Sequence, residues 1–115
     1  MEYTFKSKYA RWDEQKQRRE TWSESVDRVR QMMVDKYEDT PEVTKDINQA
    51  YDDMKKRKIL GSQRALQFGG SPIFKHNARM YNCISSYVDR PRFFQECMYL
   101  LLCGCGTGFS VQKHH

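Results

Sequence analysis

Residues 78–111 read ARMYNCISSYVDRPRFFQECMYLLLCGCGTGFSV, and the order of elements in this stretch decides the fold class. From Ala78 to Val88 the side chains alternate loosely, with Met80, Asn82 and Ile84 on one side and Tyr81, Cys83 and Ser85 on the other. A period of two is that of a strand. Asp89-Arg90-Pro91 breaks the pattern and can cap a helix over residues 91–102. Phe93, Phe94, Cys97, Met98, Leu100, Leu101 and Leu102 cover more than one face of that helix, so a complete fold should bury it. Gly104-Cys105-Gly106-Thr107-Gly108 then turns the chain into Phe109-Ser110-Val111, a short apolar strand. Strand, helix, strand is an α/β pattern. Two strands cannot make a sheet that covers such a helix, and the chain is expected to be the opening segment of something larger.

Upstream the chain is helical and polar. Thr21-Trp22-Ser23-Glu24 reads as a capping box, in which the Thr21 hydroxyl accepts from the Glu24 N–H and the Glu24 side chain reaches back. Trp22, Val26, Val29, Met33 and Tyr37 then recur at steps of three and four, one face of a helix. Thr40-Pro41 starts a second helix, with proline where its missing N–H costs nothing. Val43, Ile47, Ala50 or Tyr51, and Met54 form its stripe. Lys55, Lys56, Arg57 and Lys58 sit at its C-terminal end, where cations suit the helix dipole, and Gly61 is expected to close it as a left-handed cap. Both stripes read as core packing. Gly69-Gly70-Ser71-Pro72 reads as a turn. The expected division is a helical region over 1–60 and an α/β region over 61–115.

With 115 residues the chain holds one small domain. Hydrophobic residues are 38% and charged residues 30%, polar for a globular chain, but seven Tyr, six Phe and two Trp argue against full disorder. No apolar run approaches a membrane span and the N-terminus lacks a signal-peptide core, so a cytoplasmic protein with no membrane partner is expected. The net charge of +5 favours anionic partners, although Asp13, Glu14 and Glu20 interrupt the basic run from Arg11 to Arg19. The four cysteines, at 83, 97, 103 and 105, lie in the last third of the chain, which does not suit a secreted disulfide framework. The glycine turn is neither a P-loop nor a dinucleotide fingerprint, because it follows a helix and enters a strand. Cys103 and Cys105 are too close for a zinc site and have no partner pair, and His76, His114 and His115 make no ligand set, so no metal site is expected.

Four segments, in their order, resemble the N-terminal part of a ribonucleotide reductase catalytic subunit. Tyr9-Ala10-Arg11-Trp12, followed by Thr21-Trp22-x-Glu24-x-Val26-x-Arg28-Val29, resembles the N-terminal segment of the adenosylcobalamin-dependent class, which includes the ribonucleoside-triphosphate reductases. Gly61-Ser62-Gln63-Arg64-Ala65-Leu66 resembles that class's P-S-x-R-x-L loop, with Gly61 in the proline position. Tyr81-Asn82-Cys83 resembles the N-C that carries a redox cysteine. Gly104-Cys105-Gly106-Thr107-Gly108-Phe109-Ser110 resembles G-G-G-V-G-F-S, with Cys105 replacing a glycine and Thr107 an aliphatic residue.

The resemblance implies a ten-stranded α/β barrel, incomplete in this chain, with residues 78–88 as an early strand and 108–112 as the next. It implies replacement of the ribose 2′-hydroxyl by hydrogen, with a thiyl radical abstracting the 3′-hydrogen and two further cysteines becoming a disulfide. Cys83 matches the first of that pair. Ser62 matches a position near the substrate phosphates, Asn82 one beside the ribose, and Gly106 a glycine whose backbone approaches the substrate. A glycine-rich turn can also present backbone N–H groups as an anion-binding nest. Cys97, Cys103 and Cys105 do not match the pair and read as small buried hydrophobes. The implied cofactor is adenosylcobalamin, with its contacts outside this chain. The implied partners are a ribonucleotide substrate, a dithiol reductant such as thioredoxin, and the missing C-terminal part of the reductase, without which no activity is expected. A large subunit that draws its radical from a separate subunit competes over the cofactor alone. A reading from a different class is a small basic module that binds nucleic acid or another anion, resting on the charge of +5 and the interspersed aromatics.

Overall fold

A computed structural model describes residues 2–111 of the chain, which divide into two compact units, one ending at Pro72 and one beginning at Ile73. The architecture mixes helices with short strands, as an α/β reading requires. Residues 61–72 cluster with the helical unit, so the division falls later than residue 60.

The first unit is built on three helices preceded by a short helix and a hairpin. Helix α1 spans Glu2–Lys8 and buries no residue of its own. Strands β1 (Trp12–Asp13) and β2 (Arg18–Arg19) pair antiparallel, with Trp12 opposite Arg19. The Asp13 carboxylate accepts from the N–H groups of Gln15 and Lys16 and shapes the turn. Helix α2 (Trp22–Lys36) starts with both halves of the capping box in place at Thr21 and Glu24. The Glu24 carboxyl is held well below the usual carboxylate range by hydrogen bonds from Arg18, Lys16 and the Thr21 N–H. Helix α3 (Pro41–Lys55) starts at Pro41, and helix α4 (Gln63–Phe68) is capped by Ser62. Val26, Val29, Met32, Ile47, Met54, Ala65 and Leu66 form the core between α2, α3 and α4.

Helix α3 is not closed by Gly61. Arg57 takes the left-handed conformation at φ 60°, its N–H donates to Met54 O, and the Lys58 N–H donates to Asp53 O. That is a Schellman closure completed four residues before the glycine, with arginine in the position glycine usually holds. The inward face of α2 is also rotated. Ser25 and Met32 are buried, whereas Tyr37 is exposed. The Ser25 hydroxyl donates to Glu20, five residues back, and the Met32 sulfur accepts from the Gly70 N–H, far along the chain, at 3.1 Å. The turn at Gly69 and Gly70 is present, with Gly70 at φ 95°, but Ser71 and Pro72 already begin helix α5 (Ser71–Lys75).

One part-buried ion pair ties the segments of this unit together. Arg28 Nε donates to Glu20 Oε1 at 2.9 Å and Nη2 donates to Glu20 Oε2 at 2.9 Å. The same guanidinium donates to Leu66 O and Gly69 O at 2.9 Å, and to Tyr9 O at 3.5 Å. Arg11 adds a bond from Nη2 to Gln67 O, and its own N–H donates to Glu20. Burial alone would raise the Glu20 carboxyl, but hydrogen bonds from Arg28 and Ser25, the Arg28 charge and the Arg11 N–H outweigh it and hold the group below its ordinary value of 4.5.

The second unit is a strand–helix–strand. A 3₁₀ turn over Asn77–Met80 occupies the start of the expected strand, and β3 covers only Cys83–Tyr87. Helix α6 (Arg92–Leu102) leads to β4 (Gly106–Ser110), which pairs parallel with β3. Gln112, the last residue of the expected second strand, lies outside the described residues, as do His114 and His115. Phe93 is buried and packs edge to face on Phe109 at 5.8 Å. It shares its helix face with the half-buried Cys97 and Leu100. The other face, with Phe94, Met98, Leu101 and Leu102, is exposed. The apolar character that the sequence predicts is there, and nothing in a two-stranded sheet covers it.

Removing one partner of the part-buried Arg28–Glu20 pair leaves the other short of hydrogen bonds, at a cost of about 1–3 kcal/mol. Arg28→Ala is therefore expected to lose that much stability in urea unfolding followed by circular dichroism. Because the folded Glu20 carboxyl titrates below the unfolded one, its contribution is full above pH 4.5 and is lost as pH falls toward the folded value. Glu20→Gln should flatten this part of the acid profile. The exposed face of α6 should bind the dye ANS and drive association at raised concentration. A monodisperse chain that binds no dye would contradict that reading of the face.

Candidate thiol site on the parallel strand pair

The parallel register sets Cys83 opposite Gly106, Ser85 opposite Gly108 and Tyr87 opposite Ser110. Paired residues of a sheet share a face. On β3 that face, with Cys83, Ser85 and Tyr87, is exposed, while Ile84 and Ser86 are half-buried. The two glycines leave the main chain bare beside the Cys83 thiol and the Ser85 hydroxyl. A Cβ added at Gly106 would stand 3.8 Å from Cys83 Cβ and from Asn82 O, ordinary contact distance, so this spot is open on account of the residue type and not of backbone strain.

Helix α6 and the turn after it fix this arrangement. The N–H groups of Cys103, Gly104 and Cys105 donate to Tyr99 O, Leu101 O and Leu100 O, which ends the helix, and Gly104 adopts φ 89°. The Gly106 N–H then donates to Asn82 O at 2.9 Å and starts the pairing. These bonds overturn the reading of the turn as an anion-binding nest. Its amides at 104, 105 and 106 are spent on the chain itself. Cys105 is buried, and its sulfur donates to Tyr81 O at 3.0 Å, which holds the approach to β3 against the start of β4.

The four cysteines thus separate by environment. Cys83 is exposed, Cys97 and Cys103 are half-buried, and only Cys105 is buried. The expectation of small buried hydrophobes holds for Cys105 and is corrected for the other two, because a two-stranded sheet covers α6 only in part. Hydrogen bonding to Cys103 pushes the Tyr99 phenol above its ordinary value.

Of the residues singled out by sequence, Asn82, Cys83 and Gly106 come together, through neighbouring positions and strand register. Ser62 lies in the first unit. Its hydroxyl accepts from the Ala65 N–H at 3.3 Å and caps α4, a structural duty that explains serine at this position. The surroundings of Cys83 are an exposed strand pair with ordinary contact spacing at Gly106. Among the described residues no three His, Cys, Asp or Glu side chains gather as a metal site, and no helix is long and apolar enough to cross a membrane.

Sequence reasoning missed Glu20, which it took for an interruption in a basic run. Its position directly before the capping box was the available signal, since that position faces back along α2 toward Arg28. Compared with known proteins, the chain matches no family model, no curated protein and no solved structure.

Thiol reactivity follows access. Under native conditions N-ethylmaleimide is expected to label Cys83 first, Cys97 and Cys103 more slowly, and Cys105 only on unfolding. Time-resolved peptide mass spectrometry reads this order directly. Labelling of Cys105 before Cys83 would reverse the assignment of the open face.

Proposed function

We propose that the chain is the N-terminal part of a ribonucleotide reductase catalytic subunit, acting on ribonucleotides by thiyl-radical chemistry, and that Cys83 is one of its two reducing cysteines. The observation that carries the reading is the register of Cys83 against Gly106, which stands an accessible thiol beside bare backbone. A sugar can lie against such a surface without meeting a side chain, and Asn82 precedes the thiol in the chain. Residues of the first two motifs also converge, since Tyr9 O and Leu66 O both accept from the Arg28 guanidinium.

In this proposal the substrate's 2′-hydroxyl leaves as water and hydrogen takes its place. Cys83 and a partner thiol supply two electrons and two protons and become a disulfide. A dithiol such as thioredoxin's reduces that disulfide for the next turnover. The partner cysteine, the thiyl cysteine, the remaining barrel strands and the contacts to adenosylcobalamin belong to the C-terminal part of the protein. The basic-module reading is less well supported. Lys16 and Arg18 of the hairpin are both bonded to Glu24, and Arg28 is committed to Glu20, so much of the basic segment is neutralised within the fold.

The test joins this chain to the polypeptide encoded immediately downstream and compares wild type with Cys83→Ser. Deoxynucleotide formation by the variant is expected to stop after at most a single turnover with dithiol reductants, while its melting temperature stays near that of wild type. Undiminished steady-state formation by the variant would remove Cys83 from the redox pair.

A further inference from the structure

A groove of about 930 Å³ opens in the helical unit, between α1, the start of α2 and the loop after α3. That volume and a mostly apolar lining with a few polar groups are typical of small-molecule sites. The apolar part is formed by Phe5, Trp22, Ile59 and Leu60. Ile59 and Leu60 are 51% and 61% exposed, a poor use of two adjacent aliphatic residues unless something covers them. The Trp22 indole is held in place, its Nε1–H donating to Met54 O and Lys55 O at 3.2 and 3.3 Å.

The charges on the lining are unbalanced. Lys6, Arg57 and Lys58 stand against the carboxylate of Glu2. Lys6 pairs with Glu2 and Lys58 with the half-buried Asp53, each at 3.4 Å and with an exposed ammonium, which binds them weakly. The Arg57 guanidinium has no hydrogen bond or ion pair among the described residues. Its backbone is held at φ 60° by the closure of α3, which sets the residue at the mouth of the groove.

We propose that this groove binds a small amphiphilic anion, an alkyl chain with a carboxylate or phosphate head, with Arg57 as the principal contact to the head. The charge complementarity selects the head. The ring geometry selects the chain over a planar base. Phe5 and Trp22 pack edge to face on each other, 5.5 Å apart at 71°, and so do not present two parallel faces between which a base would stack.

Trp22 reports on the groove once Trp12→Phe removes the other indole. Titration of this single-tryptophan chain with decanoate below its micellar range is expected to give a saturable fluorescence change. Neutral decanol should bind at least about tenfold more weakly, and Arg57→Gln should weaken decanoate about tenfold, as loss of a charge-assisted hydrogen bond does. Leu60→Asp should abolish the response. Arg57 and Leu60 are both exposed, so neither change disturbs the core, and circular dichroism verifies this. The proposal is overturned by no saturable change at Trp22, by equal binding of decanol, or by an unaltered response in Arg57→Gln. It is equally overturned if only adenosine triphosphate or only anionic lipid vesicles elicit the change.

Discussion

The helical unit depends on the partial burial of one cation. Taking a guanidinium and a carboxylate out of water costs several kcal/mol per ion unless nearly every hydrogen-bonding position is filled. Arg28 meets that condition by using its fork on Glu20 and its remaining donors on three carbonyl oxygens. Those carbonyls come from residues 9, 66 and 69, so the electrostatic requirement of one side chain positions three stretches of chain. A lysine could not do this, having one nitrogen where arginine has a planar array of donors. Gly69 is part of the same constraint. A Cβ there would come within 2.4 Å of Ala65 O and 3.0 Å of Val29 Cγ2, so only glycine lets the chain approach closely enough to offer its carbonyl.

The second unit rests on different physics. Its two strands of five residues bury little, and a sheet of that size is marginal in water without further covering. Stability there comes from Phe93 on Phe109, from the closed turn after α6, and from the Cys105 sulfur bonded to Tyr81 O. The same economy leaves the Cys83 face bare. An accessible thiol and an incompletely covered helix are two consequences of one short sheet.

The candidate site was partly legible before the structure. Asn82 and Cys83 are neighbours in the chain, and any fold keeps them together. Gly106 lies far along the sequence, and only the parallel pairing brings it opposite Cys83. Its assumed role in an anion nest failed because local composition shows which amides can be presented, not which have already been used. Ser62 shows the same limit, since a serine before a short helix is equally suited to capping and to holding a phosphate.

The sequence by itself determined the elements whose cause is local. The capping box at Thr21 and Glu24, the proline start of α3 and the helix–glycine turn–strand order after residue 91 all depend on residues within a few positions of each other. Tertiary structure decided the rest. It rotated the buried face of α2 toward Ser25 and Met32, drew residues 61–72 into the first unit, and chose Cys105 as the cysteine to bury. Met32 and Cys105 each meet a partner from a distant part of the chain, the Gly70 N–H and Tyr81 O. Hydrophobic periodicity records which residues gain from burial, but the partner that completes a buried polar group is fixed only when the segments meet.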